Sequence, residues 1–148
     1  YIASDHGGFE LKEEIKRLFT ENEINIIDMG PYEYDEWDDY PDYAAPVAEK
    51  VQEDKNARGI LICTSGIGVT MVANKFKGVR AGLCYNEEHV VSAVQDDNIN
   101  VLTLPANYIP NKQSLETALA FVETEFDEQE RHVRRLDKVE EIERLNFK

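Results

Sequence analysis

Cysteine is scarce in this chain of 148 residues. Cys63 and Cys84 stand alone, too few for a disulfide framework and without metal-type spacing, which suits a reducing cytosol. Basic residues are also few: 16 Lys and Arg face 30 Asp and Glu, for a net charge of −14. Such a surface repels nucleic acid and anionic membranes, so neither is expected as a partner. No apolar run approaches membrane-spanning length and no signal segment is visible, so a cytoplasmic location is expected. Tyr1 stands inside an apparent strand, which predicts a few residues ahead of it. Neither common phosphate loop is present, G-x-x-x-x-G-K-[ST] or G-x-G-x-x-G. A cysteine phosphatase would need an arginine six residues after Cys63, and Val69 stands there. Apolar residues are plentiful, at 42%, enough for the core of one domain over residues 1–148.

Those apolar residues alternate between two periods. Short runs at Tyr1–Ser4, Ile24–Met29, Ile60–Ile62, Val79–Leu83 and Asn100–Leu104 read as strands. Between them, Phe9, Leu11, Ile15, Leu18 and Phe19 recur at helical spacing. So do Val47, Ala48 and Val51 after Pro41, and Leu115, Ala118, Leu119 and Val122 after Asn111. A further helix is predicted from Asn86 to Gln95, with Asp96-Asp97-Asn98 in the connection to the last strand. Strand–helix alternation this regular predicts an α/β fold, a three-layer α/β/α Rossmann-like sandwich on a five-stranded parallel sheet. The loop Pro31–Tyr40 is long for a strand-to-helix connection, which favours binding or a subunit contact. Its Asp35, Glu36, Asp38 and Asp39 lack metal-ligand spacing and read as a solvated acidic loop. From about residue 128 the chain becomes a charged helical extension. Its Val133, Leu136, Val139, Ile142 and Leu145 form a stripe suited to a partner subunit.

The chemistry concentrates after the strand that ends in Cys63. Thr64-Ser65-Gly66-Ile67-Gly68 is a glycine turn leading into a helix, so unpaired N–H groups and the helix dipole make an anion site there. A thiol at its rim is expected to have a lowered pKa. The competing reading is a small buried hydrophobe, the commoner fate of a strand cysteine. Asp5-His6-Gly7-Gly8 follows the first strand, a position where open α/β sheets bind ligands. The same residues are equally a helix cap with a solvated histidine. Arg131, His132, Arg134 and Arg135 gather at the start of the extension. They suit either ion pairing with nearby glutamates or a phosphate clamp.

Taken together, Ser4-Asp5-His6-Gly7-Gly8, Asp39-Tyr40-Pro41, Ile60-Leu61-Ile62-Cys63 with Gly66 and Gly68, Ala73-Asn74-Lys75, and Arg131-His132 with Arg135 carry a resemblance. The chain resembles the ribose-5-phosphate isomerase B family, whose relatives act on allose 6-phosphate and galactose 6-phosphate. The resemblance implies a homodimer or dimer of dimers with active sites shared between subunits. It also implies interconversion of ribose 5-phosphate and ribulose 5-phosphate through a cis-enediol(ate), with no metal or other cofactor. Cys63 would be the base, Ser65 would orient it, and the amides of Thr64, Ser65, Gly66, Ile67 and Gly68 would hold the oxyanion. Asp5 would handle protons on the sugar oxygens, and His6 and Tyr40 would contact substrate. Arg131 and Arg135 of the neighbouring subunit would hold the phosphate.

Three positions depart from the family. Asp96-Asp97 replaces the usual His-Asn pair, whose histidine opens the sugar ring, and an aspartate is ionised at neutral pH. Asn107 stands where many members carry an arginine. These departures keep two alternatives open: an isomerase of a hexose 6-phosphate, and a non-catalytic sugar-phosphate-binding subunit.

Overall fold

Four short strands and six helices account for most of residues 1–147, the part that the computed structural model describes. The strands are β1 (Ile2–Ser4), β2 (Gly59–Cys63), β3 (Ala81–Leu83) and β4 (Val101–Pro105). They lie parallel in the order β1-β2-β4-β3. The helices are α1 (Phe9–Glu21), α2 (Tyr40–Glu53), α3 (Ile67–Ala73), α4 (Glu87–Asp97), α5 (Asn111–Glu123) and α6 (Glu130–Asn146).

β2 and β4 are central and buried throughout, which is why β2 reads as an apolar run and β4 departs from one only at the buried Thr103. Side chains alternate between the two faces of the sheet. Ile60 and Ile62 point with Ile2, Leu102 and Leu104 toward α1, α4 and α5. Leu61 and Cys63 point with Ala3 and Val101 toward α2 and α3. On α1, Leu11, Ile15 and Phe19 recur every four residues and are buried against the first face. Full burial of a side chain as large as Phe19 or Phe121 contributes about 2 kcal/mol.

The expected fifth strand is the main correction to the architecture. Residues 24–29 run beside β1 but pair by a single bridge, Ile2 with Asp28. Only alternate residues of a parallel strand bond to one side, and β1 has three residues. Its Ile2 N–H donates to the Ile27 carbonyl at 2.9 Å, and the Ile2 carbonyl accepts from Met29 at 2.8 Å. One further contact, Ser4 N–H to the Gly30 carbonyl, ends the ladder. A second correction concerns α4, which continues through Asp96 and Asp97 until Asn98 closes it in the left-handed conformation. The expected connection is therefore the last turn of a helix.

The chain leaves β1 for the 24–29 edge and then returns to the other side of β1 as β2. A doubly wound sheet reverses its winding there, and ligands bind outside the strand C-termini at such a point.

Candidate active site

β1 and β2 end side by side at the reversal, with Ser4 opposite Ile62. The Asp5 amide then bonds to the Ile62 carbonyl at 3.3 Å, so Asp5 and Cys63 leave the sheet as neighbours. Their turns interlock. A Cβ on Gly7 would lie 2.2 Å from Thr64 Oγ1, and one on Gly8 would lie 2.5 Å from Ile62 Cγ2. Only glycine permits this approach. Across the turn, the Tyr40 ring lies against Gly68, where an added Cβ would come within 2.6 Å of Cζ. Asp5, His6, Tyr40, Cys63, Thr64, Ser65, Gly66, Ile67 and Gly68 are thus gathered at one edge of the sheet.

Cys63 is buried, and its sulfur accepts the Gly66 N–H at 3.1 Å. Gly66 reaches that geometry with a φ of 73°, a conformation that side chains disfavour. Ser65 Oγ accepts from the Ile67 amide at 3.3 Å. Two of the five amides expected to form an anion hole are therefore turned onto the sulfur and the serine oxygen. The base of the turn is pinned by the loop after β4. Ala106 and Asn107 donate their amides to the carbonyls of Cys63 and Thr64 at 3.0 and 3.1 Å. The other cysteine, Cys84, is also buried, and burial pushes its thiol up to about 12.

Asp5 is buried and accepts the Gly7 amide at 2.9 Å, capping the short 3-10 turn His6–Gly8. The cap reading and the site reading hold together. Burial raises the Asp5 pKa above the usual carboxylate value, against the opposing pull of His6 and the Gly7 amide.

The acidic loop requires a correction. Asp38 is not solvated: its side chain is 4% exposed, and its Oδ1 accepts both the His6 amide at 2.9 Å and His6 Nδ1 at 2.6 Å. No sequence spacing signals this contact, because 32 residues separate the partners and the loop must fold back over the first turn. The bond to Asp38 raises the His6 pKa, outweighing a smaller opposing effect of burial.

The family model described as Ribose/Galactose Isomerase matches residues 1–139. The structure of ribose-5-phosphate isomerase B from Mycoplasma genitalium, with bound ribulose 5-phosphate, superposes with a TM-score of 0.92 at 41% identity. It covers 97% of this chain and 94% of that one. The chain belongs to the ribose/galactose isomerase family. The Thermotoga maritima ribose-5-phosphate isomerase B has a TM-score of 0.88 at 38% identity, with 95% of each chain covered. A Mycoplasma pneumoniae protein named "Probable ribose-5-phosphate isomerase B" is 40% identical over 97% of this chain and 94% of its own length. The chain is accordingly an isomerase.

The remaining family positions do not join Cys63 within one isomerase chain. Asp96 and Asp97 end α4, and Asn98, Ile99 and Asn100 alone separate them from the start of β4. Cys63 pairs with Pro105 at the far end of β4. Five residues of strand span about 13 Å, so these groups stand at opposite ends of the strands. Arg131 and Arg135 are exposed on the first turns of α6, which packs on α4 through His132. His132 itself is buried rather than part of an exposed basic cluster. Its Nδ1 bonds to Asp127 Oδ1 at 2.7 Å, and its Nε2 lies 3.6 Å from Asp96 Oδ1. Beside this edge is a cleft of about 1280 Å³ under α6, with Asn74, Arg80, Asp97, Asn100, Ile142 and Phe147 among its walls.

Proposed function

We propose that this isomerase interconverts ribose 5-phosphate and ribulose 5-phosphate in a site shared by two subunits. The observation that carries the reading is the Cys63 sulfur, held by the Gly66 amide beside Asp5 at the edge where such sheets bind ligands. A relative at 41% identity that was solved with ribulose 5-phosphate agrees with the substrate.

In the forward direction, the Cys63 thiolate takes the proton from C2 of the open-chain aldose. The released electron pair forms the C1–C2 double bond, and O1 becomes the enediolate oxygen. The Gly66 amide that donates to this sulfur fixes its position for the step. Asp5 takes the O2 proton and delivers it to O1. A carboxyl whose pKa burial has raised is suited to both halves of that transfer. The thiol then returns its proton to C1, leaving the carbonyl at C2. Unengaged amides of the Thr64–Gly68 turn stabilise the oxyanion, with Ser65 orienting the sulfur. Tyr40 lines the sugar, and His6 meets the phosphate. No metal or other cofactor takes part.

Sharing follows from what one chain keeps apart. Arg131 and Arg135 of the partner subunit would complete the phosphate site, and the partner subunit's Asp96 would stand where the family keeps its ring-opening histidine. The unburied stripe on α6 supports this: Val139, Ile142 and Leu145 are more than half exposed in the single chain. Ile67 and Met71, one turn apart on α3 beside the site, are equally bare.

The test is turnover of ribose 5-phosphate by the pure protein, with Cys63→Ala and allose 6-phosphate alongside. Pentose turnover that the variant lacks is expected, with kcat falling at least 10³-fold, on the order of a lost catalytic base or nucleophile. Turnover of the hexose alone would move the substrate class. Binding of both without turnover would make the chain a binding subunit.

A further inference from the structure

Asp38 has no part in the chemistry above, yet it is placed as though it did. It comes from the middle of the Pro31–Asp39 loop, where its neighbours Trp37 and Asp39 are exposed, and its carboxylate is carried inward onto His6. One oxygen receives two donors from that one residue, the backbone amide and Nδ1. The other, Oδ2, is buried without a close hydrogen bond among the described residues, although the Tyr43 hydroxyl is near enough to the carboxylate to interact with it. A buried carboxylate oxygen without a close partner is costly in stability.

With Nδ1 committed to Asp38, His6 presents Nε2, which has no hydrogen-bond partner among the described residues, and its ring remains about a third exposed. The surroundings make a positive charge valuable. Phosphate must approach a chain of net charge −14, past Asp5 and Asp35, both of which His6 feels. Lys12, the nearest buried cation along the chain, is committed to Asp28 and the Pro31 carbonyl. His6 is a basic side chain that this chain itself brings to the Cys63 edge.

We propose that Asp38 is a positioning residue that fixes His6 as an imidazolium, with Nε2–H aimed at the phosphate of the substrate. The inference rests on the isomerase reading for its substrate but not for its geometry. Asp38 acts through His6 and touches no reacting atom. The groups facing the pair are Asp5 from the first turn, Asp35 and Tyr34 from the loop, and Tyr43 from α2. Burial and then the charge of Asp38 raise the Tyr43 pKa, so this phenol stays neutral over the working range. Tyr34 meets the imidazole edge-on, with ring centroids 6.3 Å apart. A phosphate contact is equal in ground state and transition state, so its loss appears in KM more than in kcat.

The experiment has two arms. In the unaltered protein, the His6 imidazole is titrated by NMR with and without inorganic phosphate. It is expected to titrate above the ordinary histidine value and to shift again when phosphate is added. A His6 titrating at or below that value overturns the proposal, and this arm requires neither turnover nor a variant. In the second arm, Asp38→Asn keeps the acceptor shape and removes the charge, and KM for ribose 5-phosphate is followed against pH. The variant KM is expected to match wild type near pH 6 and to rise about three- to tenfold at pH 8, the loss of one charge-assisted bond. kcat should change less than KM. A KM–pH profile superimposable on wild type, or a fall in kcat with KM unchanged, overturns the proposal. If the wild-type protein fails to turn over ribose 5-phosphate, the substrate assignment falls, and the NMR arm still decides Asp38.

Discussion

At the scale of single residues, charges inside this protein are arranged in pairs that do different work. Lys12 is fully buried on α1, and its ammonium donates to both Asp28 oxygens at 2.8 and 2.9 Å and to the Pro31 carbonyl at 2.6 Å. Burial alone would raise the Asp28 pKa, but Lys12, Lys16 and the Gly30 amide outweigh it and hold the carboxyl below the usual range. A depressed folded value means that the stabilisation is present above the unfolded value, about 3.9, and is lost as the pH falls through the lower folded value. Lys12→Met should therefore destabilise the protein by about 2–3 kcal/mol at pH 7, since it strips one partner from a largely buried carboxylate. Denaturant unfolding at pH 7 and pH 3 checks both parts. The gap between variant and wild type should narrow at the lower pH, and an equal gap at both would refute the ion-pair account. His6 has the opposite sign: its raised value favours the folded state at low pH, and that contribution fades as the pH climbs through the folded value.

At the scale of elements, the turn after β2 is held by close approaches that only glycine allows. Gly68 admits the Tyr40 ring, and Gly66 lies against Leu83 and the backbone at Leu104–Pro105. Gly68→Ala is expected to displace the Tyr40 ring, costing about 1–2 kcal/mol in the unfolding free energy. In a Tyr40→Ala background the same change should cost much less, because the clash is gone. A double-mutant cycle measures this, and simple addition of the two costs would show that the ring contact is not the cause. These elements also show where sequence is transparent. β2 and its turn were readable because a strand buried on both faces leaves a solid apolar run and the glycines mark the bend. Residues 24–29 carry a strand pattern just as clear, but their pairing depends on how much of β1 is available to them, which no local pattern records. The end of α4 is hidden in the sequence because Asp96 and Asp97 are polar, yet the helix continues through both to its cap at Asn98. The burial of Asp38 is invisible in the sequence for a different reason. The other acids of its loop, Asp35, Glu36 and Asp39, are exposed, and only the return of the loop over His6 sets Asp38 apart.

At the scale of the whole molecule, the groups proposed to act on the substrate are divided between the two ends of the strands of one sheet. Cys63 and Asp5 stand at one end, while Asp96, Asp97 and the start of α6 stand at the other. In a shared-site dimer, defects at opposite ends should compensate. Cys63→Ala and Arg135→Ala proteins, each inactive or impaired alone, are dissociated, mixed in equal amounts and allowed to reassociate. Random pairing makes about half of the dimers mixed, each with one intact site of two, so about a quarter of wild-type activity should return. No recovery, with exchange verified by mass, would place each site within one chain.

The weak pairing of residues 24–29 also bears on how these molecules behave toward one another. An open sheet invites strangers to add a strand at its rim. Here one rim is a segment held by a single bridge, with Asn25 solvent-exposed, and the other is β3, only three residues long. Neither offers a straight row of vacant amides for a neighbour to copy. The irregularity that denies the sheet a fifth strand therefore also guards it against edge-to-edge growth in a crowded cell.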